Sequence, residues 1–206
     1  MCRSTHCDYS RRRRLTTILA ILSLVSGLLL TYAFVPYVRA IVGCKTSPRK
    51  ATWLIWASCD WIILLGMLYQ GKISGLLVGA VIGATTTFIL SIKYGESGWT
   101  KRDKICIAIA SSAVMTWVYF GESNYGIVLS SLALFVAAWP TYMSAWENPF
   151  NEDAKAWKIF TFSSLLGVLA IPHYTFADAV GPWTFLLIDS PMLYLAVWRQ
   201  QKQFKL

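Results

Sequence analysis

Residues 33–60 read AFVPYVRAIVGCKTSPRKATWLIWASCD, and residues 137–164 read AAWPTYMSAWENPFNEDAKAWKIFTFSS. In each stretch a proline follows an apolar run, a polar loop comes next, and a Trp opens another apolar run. Pro36 lies 17 residues before Trp53 and Pro140 lies 17 before Trp157, so both landmarks recur at an offset of 104. The same offset sets Ile55 on Ile159, Trp56 on Phe160 and Leu65 on Leu169, and lays 75–92 over 179–196. Few residues are identical. What repeats is the register of landmarks, the mark of a duplicated supersecondary block.

Seven apolar runs surround these landmarks: 15–35, 53–69, 73–92, 105–120, 126–143, 157–172 and 180–198. Each approaches the roughly 17–25 residues that cross a hydrocarbon core as helix. The fourth is the shortest, and the third and fifth are rich in Gly or Ser. A chain that is 56% hydrophobic and 14% charged departs from soluble proteins, where about 25% of residues are charged. Its mean hydropathy is +0.50. The connections are short, so no loop can fold as a separate catalytic domain and function has to sit between helices. Three helices carry a chain to the opposite side, so two units of one orientation need an odd connecting span, which 105–120 supplies. The expected fold is therefore an all-α integral membrane protein with seven transmembrane helices arranged 3+1+3 as two parallel three-helix repeats. Its parts are a basic N-terminal tail (1–14), a first unit (15–92), a linker helix with flanking loops (93–125), a second unit (126–198) and a C-terminal tail (199–206).

The net charge of +9 would suggest nucleic acid in a soluble protein. Here Lys and Arg crowd the ends of apolar runs, which points to headgroups and topology, with the lipid bilayer as partner and no nucleic acid. Seven spans divide the loops into two sets. One side carries six Lys and Arg, from the N-terminal tail and Lys72; the other carries thirteen, on the first, third and fifth loops and the C-terminal tail. The majority places the N-terminus outside and the C-terminus in the cytoplasm of a bacterial inner membrane. Arg11–Arg14 argue locally the other way, because adjacent charges beside the first span resist translocation. That basic cluster, the apolar 18–30 and Ala33 also fit a signal peptide loosely, but cleavage there would destroy the first member of the repeat.

Five cysteines, Cys2, Cys7, Cys44, Cys59 and Cys106, form no C-x-x-C and are odd in number, so they read as small apolar fillers and not as a disulfide framework or redox site. The two histidines, His6 and His173, stand at no metal-ligand spacing with Cys or carboxylate, so neither metal nor cofactor is expected. An intramembrane enzyme needs a Ser with His, a metal-binding set or a Cys pair within the spans. None is present, and the seventh span has no Lys for a Schiff base.

The three-one-three layout, with a proline near the end of the first helix of each unit, resembles the PQ-loop and SWEET-like membrane proteins, sugar transporters and their half-size SemiSWEET relatives. The resemblance covers most of residues 20–198. The strings SPRKATWLIWA and WPTYMSAWENP look closest to a group of short, uncharacterised bacterial membrane proteins of this layout. Where that superfamily carries Pro-Gln, this chain has Pro36-Tyr37 and Pro140-Thr141.

Asp60 lies within the second run, where a carboxylate in hydrocarbon is costly and should face a polar cavity or a partner. Trp56 shares its face at i, i+4 and could stack on a sugar-like or aromatic ligand. The plain alternative for these tryptophans, and for Trp53 in particular, is an interfacial belt. Asp189 lies in the seventh run, and its repeat partner is Thr85, so both third helices turn polar at one depth. The resemblance implies that Thr85, Asp189, Trp56 and Phe160 line a central substrate site, without the Asn typical of that site. Threonines bonded back to their own helix are the structural alternative. Two intramembrane carboxylates with no intramembrane Lys or Arg are candidates for carrying protons. Pro36 and Pro140 weaken the helical ladder and suit hinges, or else simply end helices. Glu147, Glu152, Asp153, His173 and Asp178 read as solvated ends. The expectation is a small-solute transporter that works by alternating access, with sugar as a candidate cargo and a homo-oligomer as a candidate assembly. The alternative is a non-transporting receptor, chaperone or assembly factor on the same fold.

Overall fold

Helices form where the apolar runs lie. The computed structural model describes residues 3–46, 48–95, 101–121 and 123–203. Lys205, part of the charge count, lies outside them. Seven long helices follow one another: α1 Arg3–Val42, α2 Lys50–Tyr69, α3 Gly75–Tyr94, α4 Lys101–Phe120, α5 Ser123–Glu147, α6 Ala154–Leu169 and α7 Phe176–Leu193. A π-helical turn (Tyr194–Arg199) and a final α-helical turn (Gln200–Gln203) extend α7. Among the described residues there is no strand. α1 begins at Arg3, so the basic stretch is the first part of a helix and not a separate tail.

Local signals set the boundaries. Gly71, at φ +69°, turns the chain between α2 and α3 in the left-handed region that favours glycine. Asp153 caps α6 by accepting from Ala156 N at 2.7 Å. Thr175 caps α7, and its hydroxyl also donates to the Asp178 carboxylate at 2.6 Å. Neither landmark proline ends its helix: Pro36 lies inside α1, and the α5 backbone stays helical through Pro140 to Glu147.

Five helices are long and apolar enough to cross a membrane: α1 from Arg12, α2, α3, α5 from Asn124, and α7 with its extension to Lys202. That is the pattern of a membrane protein. α6 has 16 residues, about 24 Å of helix against a hydrocarbon core of about 30 Å. α4 opens on Lys101-Arg102-Asp103-Lys104, which leaves a short apolar remainder.

The packing pattern is a closed ring. α3 sits between α1 and α2, and α7 sits between α5 and α6; α1 then packs on α6 and α2 on α5, with α4 outside against α5 and α2. The α1–α3 contact is intimate because a Cβ on Gly27 or Gly75 would strike backbone of the facing helix. Polarity is inverted relative to a soluble protein. Leu24, Leu28, Ile82, Ile89, Leu132 and Leu187 are exposed, whereas Asp60, Asp189, Thr87, Ser130, Ser163 and Ser164 are buried.

Candidate functional site

Residues 53, 56 and 60 lie at i, i+3 and i+7, so α2 presents them on one face; the offset of 104 gives α6 the matching face of Trp157, Phe160 and Ser164. Trp53, Trp56 and Asp60 of the first face and Trp157 and Phe160 of the second line a cavity of about 50 Å³, with Ser164 behind it on Asp189. α1 adds Leu30 and Phe34, α5 adds Leu134, α3 adds Ala80 and Ala84, and α7 adds Phe185, Ile188 and Asp189. Leu30 with Leu134, Trp53 with Trp157, Trp56 with Phe160 and Ala84 with Ile188 are all pairs 104 apart, so the cavity is lined from equivalent positions of the two halves.

The aromatic wall is continuous. Trp56 packs edge-on against Trp53 at 5.0 Å, Trp53 meets Phe34 at 5.9 Å, Phe34 meets Phe160 at 4.9 Å and Phe160 meets Trp157 at 5.4 Å. Phe34 of α1 thereby joins the α2 and α6 aromatics. Trp56 is fixed from the other side by its indole N–H, which donates to Leu134 O at 3.3 Å.

The two carboxyls differ in support. Asp189 accepts a short hydrogen bond, 2.5 Å, from the Ser164 hydroxyl. The carbonyl beside it, Asp189 O, accepts from Thr161 at 3.3 Å, and Ile188 O accepts from Tyr142 at 2.9 Å. α7 is therefore tied to α5 and α6 at this depth. Asp60 is 2% exposed and its Oδ1 has no hydrogen-bond partner. No Lys, Arg or His is among the residues lining the cavity.

Of the residues singled out from sequence, Trp56, Asp60, Phe160 and Asp189 meet at this cavity. Thr85 does not line it; its hydroxyl accepts from the Trp61 indole at 3.2 Å on the outer side of α2 and α3. Pro36 lies six residues before the end of α1, and the side chain of Pro140 lies outside the described residues. The interfacial reading of Trp53 is overturned: it is buried against Phe34, Tyr37 and Trp56. Cys59 is buried as a filler, whereas Cys44 is exposed in the turn after α1.

Two of the supposed solvated ends are also corrected. Asp178 is buried and pairs with Lys72 Nζ at 3.0 Å, and Lys72 also donates to Thr175 Oγ1 at 2.9 Å. This ties the α2–α3 turn to the start of α7 across the ring. Glu152 is half-buried and accepts the Trp157 indole N–H at 2.9 Å. Burial pushes its carboxyl up to about 7, Asp153 adds to the rise, and the Trp157 hydrogen bond offsets part of it. Gln200 braces the same loop by donating to the carbonyls of Pro149 at 2.5 Å and Glu152 at 3.0 Å.

Ser164 was the residue most readily missed. The offset that pairs Thr85 with Asp189 also pairs Asp60 with Ser164, so a polar position on each second helix was present in the sequence. Thr175-x-x-Asp178 was a legible helix start, but its bond to Lys72 joins residues more than a hundred positions apart. No described group of His, Cys, Asp and Glu could hold a metal ion. No family model, curated protein or solved structure matches the chain.

Proposed function

We propose that the protein is a small-solute carrier on a SWEET-like, PQ-loop-related scaffold, with seven membrane-spanning helices in a 3+1+3 order. Two three-helix units would rock about the central cavity and expose it to each side in turn. The observation that carries this reading is the ring lined in repeat-related pairs, with two buried carboxyls converging on one cavity. An adaptor with a closed apolar core would have no reason to accept the cost of burying Asp60 with an unpartnered oxygen. The packing order supports the repeat, because α1, α2 and α3 make among themselves the same contacts that α5, α6 and α7 make.

Two closures support alternating access. The Lys72–Asp178 pair fastens the end of the ring that holds the α2–α3 and α6–α7 turns. Toward the opposite end, beside the α1–α2 and α5–α6 loops, the Phe34–Phe160 contact of the aromatic wall joins α1 to α6. In this reading the Lys72 end lies outside and the C-terminus in the cytoplasm, an orientation that the charge asymmetry of the loops supports.

The test is uptake and efflux by purified protein in liposomes, with labelled monosaccharides, amino acids and amines offered as a panel. Flux in the wild type that is lost in folded Asp60→Asn and Asp189→Asn proteins is the expected result. Absence of flux for every solute would transfer the protein to the non-transporting class.

A further inference from the structure

The chemistry of the central cavity narrows what it can hold. Its polar complement is a pair of carboxyls, Asp60 and Asp189, which line one cavity. A carboxyl oxygen accepts hydrogen bonds, and Asp60 Oδ1 is buried and open. The donors that might have faced a ligand are already used. Trp56 N–H goes to Leu134 O, Trp157 N–H to Glu152 and Ser164 O–H to Asp189. Trp53 is hydrogen-bonded with Tyr37. What remains toward the cavity is π-face, π-edge and carboxylate.

A sugar hydroxyl needs both donors and acceptors, and an anion would meet two carboxyls without a cation. A positive charge meets the opposite situation: the ring quadrupoles attract it, by about 0.5–2 kcal/mol per good contact, and one carboxylate of the pair neutralises it while the other carboxyl keeps its proton. Size agrees. A cavity of about 50 Å³ holds roughly four water-sized groups, whereas a hexose has about a dozen non-hydrogen atoms.

We propose that this cavity is a site for a small monovalent organic cation, a substituted ammonium or amidinium group, held by the carboxyl pair of Asp60 and Asp189 among the rings of Trp53, Trp56, Trp157 and Phe160. This rests on the carrier reading, since it names that carrier's cargo. Asp60 Oδ1 is the primary contact, because it is the buried acceptor left open. Asp189 supplies the second carboxyl from a position set by Ser164, and the pair holds one proton, so that a single negative charge balances the cation. The aromatic wall excludes water and selects alkylated nitrogen over hydrated metal cations.

The experiment uses the full-length protein in nanodiscs, titrated with methylammonium and tetramethylammonium chlorides at constant ionic strength. Sodium chloride and glucose serve as comparison titrants. Binding is read by calorimetry and by tryptophan fluorescence, and methylammonium flux is measured in liposomes. Saturable methylammonium or tetramethylammonium binding is expected, weakened about ten- to a hundredfold in Asp60→Asn, as expected for loss of a hydrogen bond to a charged group. Trp56→Leu should weaken tetramethylammonium more than methylammonium. Should Asp60→Asn fail to fold, Asp189→Asn and Trp56→Leu carry the test, and unchanged binding in a folded variant overturns the assignment. If glucose binds and moves while neither amine does, the assignment fails and the carrier reading stands. Amine binding without flux of any solute keeps the site and removes the carrier. If wild-type protein binds neither amine, the assignment fails outright.

Discussion

Serines show how the repeat distributes hydrogen bonds. Ser26 Oγ donates to Ser163 O at 2.8 Å and Ser163 Oγ donates back to Ser26 O at 2.7 Å, which clasps α1 to α6. At the equivalent α5–α2 contact the offset puts Ser130 and Cys59; Ser130 Oγ is buried without a partner. A thiol is a weak donor and acceptor, so the second clasp is incomplete. Ser26→Ala should therefore cost about 0.5–1.5 kcal/mol in detergent unfolding, whereas Ser130→Ala should be neutral or stabilising; equal losses would sink the assignment of the clasp. Glu152 gives a second residue-scale prediction. Its folded carboxyl titrates near 7 against a usual value of about 4.5, so the folded protein holds this proton more tightly than the unfolded chain. The stabilisation is full below about 4.5 and is lost as pH rises through about 7. Thermal unfolding between those values should lose its downward slope in Glu152→Gln, and an unchanged slope would assign the effect to another group.

Helix α7 is the least regular of the ring and carries the most chemistry. Pro182 and Pro191 lie inside it, and a π-helical turn follows from Tyr194. Pro191 has no N–H for its own helix, and nearby Thr161 and Tyr142 donate to the Asp189 and Ile188 carbonyls. Irregular backbone braced by neighbours is tolerated in a membrane helix. α3 is the opposite case. Its Gly75, Gly79 and Gly83 recur every fourth residue, and at Gly75 and Gly79 a Cβ would collide with backbone of α1. Gly75→Leu should separate α1 from α3 and abolish a monodisperse folded species in size-exclusion chromatography; a well-folded variant would show that the close approach is dispensable. These elements also mark what the sequence made legible. Helix positions followed from hydropathy and loop lengths, and four of the five proposed cavity residues followed from asking which polar or aromatic side chains sat at membrane depth. Thr85 did not fall at the cavity as its partner Asp189 did: its hydroxyl accepts from Trp61 on the outer side of α2 and α3, so the two third helices are not equivalent at this position. The burial of Asp178 was invisible, because its partner Lys72 is brought to it only when the ring closes, whereas Glu152 bonds Trp157 only five residues on, a local contact.

At the scale of the whole molecule, the central question is whether the fastening between the two halves governs access to the cavity. Lys72 belongs to the turn after α2 and Asp178 to α7, so their bond crosses between the repeats and not within one. Asp178 is 7% exposed and Lys72 30%, so solvent screens the pair in part. Its loss should favour the state open at that end by about 1 kcal/mol, roughly a fivefold change in population. The Phe34–Phe160 contact between α1 and α6 at the other end is untouched by this change, so the effect should be one-sided. A cysteine at Ala84, which lines the cavity, in a background without native cysteines, reports access through its reaction with a membrane-impermeant maleimide. In sealed vesicles the reagent should react slowly from both faces of the unmodified ring and about five times faster from the Lys72 face after Lys72→Gln. Acceleration from both faces would mean that the substitution loosens the fold generally. No acceleration from the Lys72 face would mean that this pair fastens a turn without controlling passage.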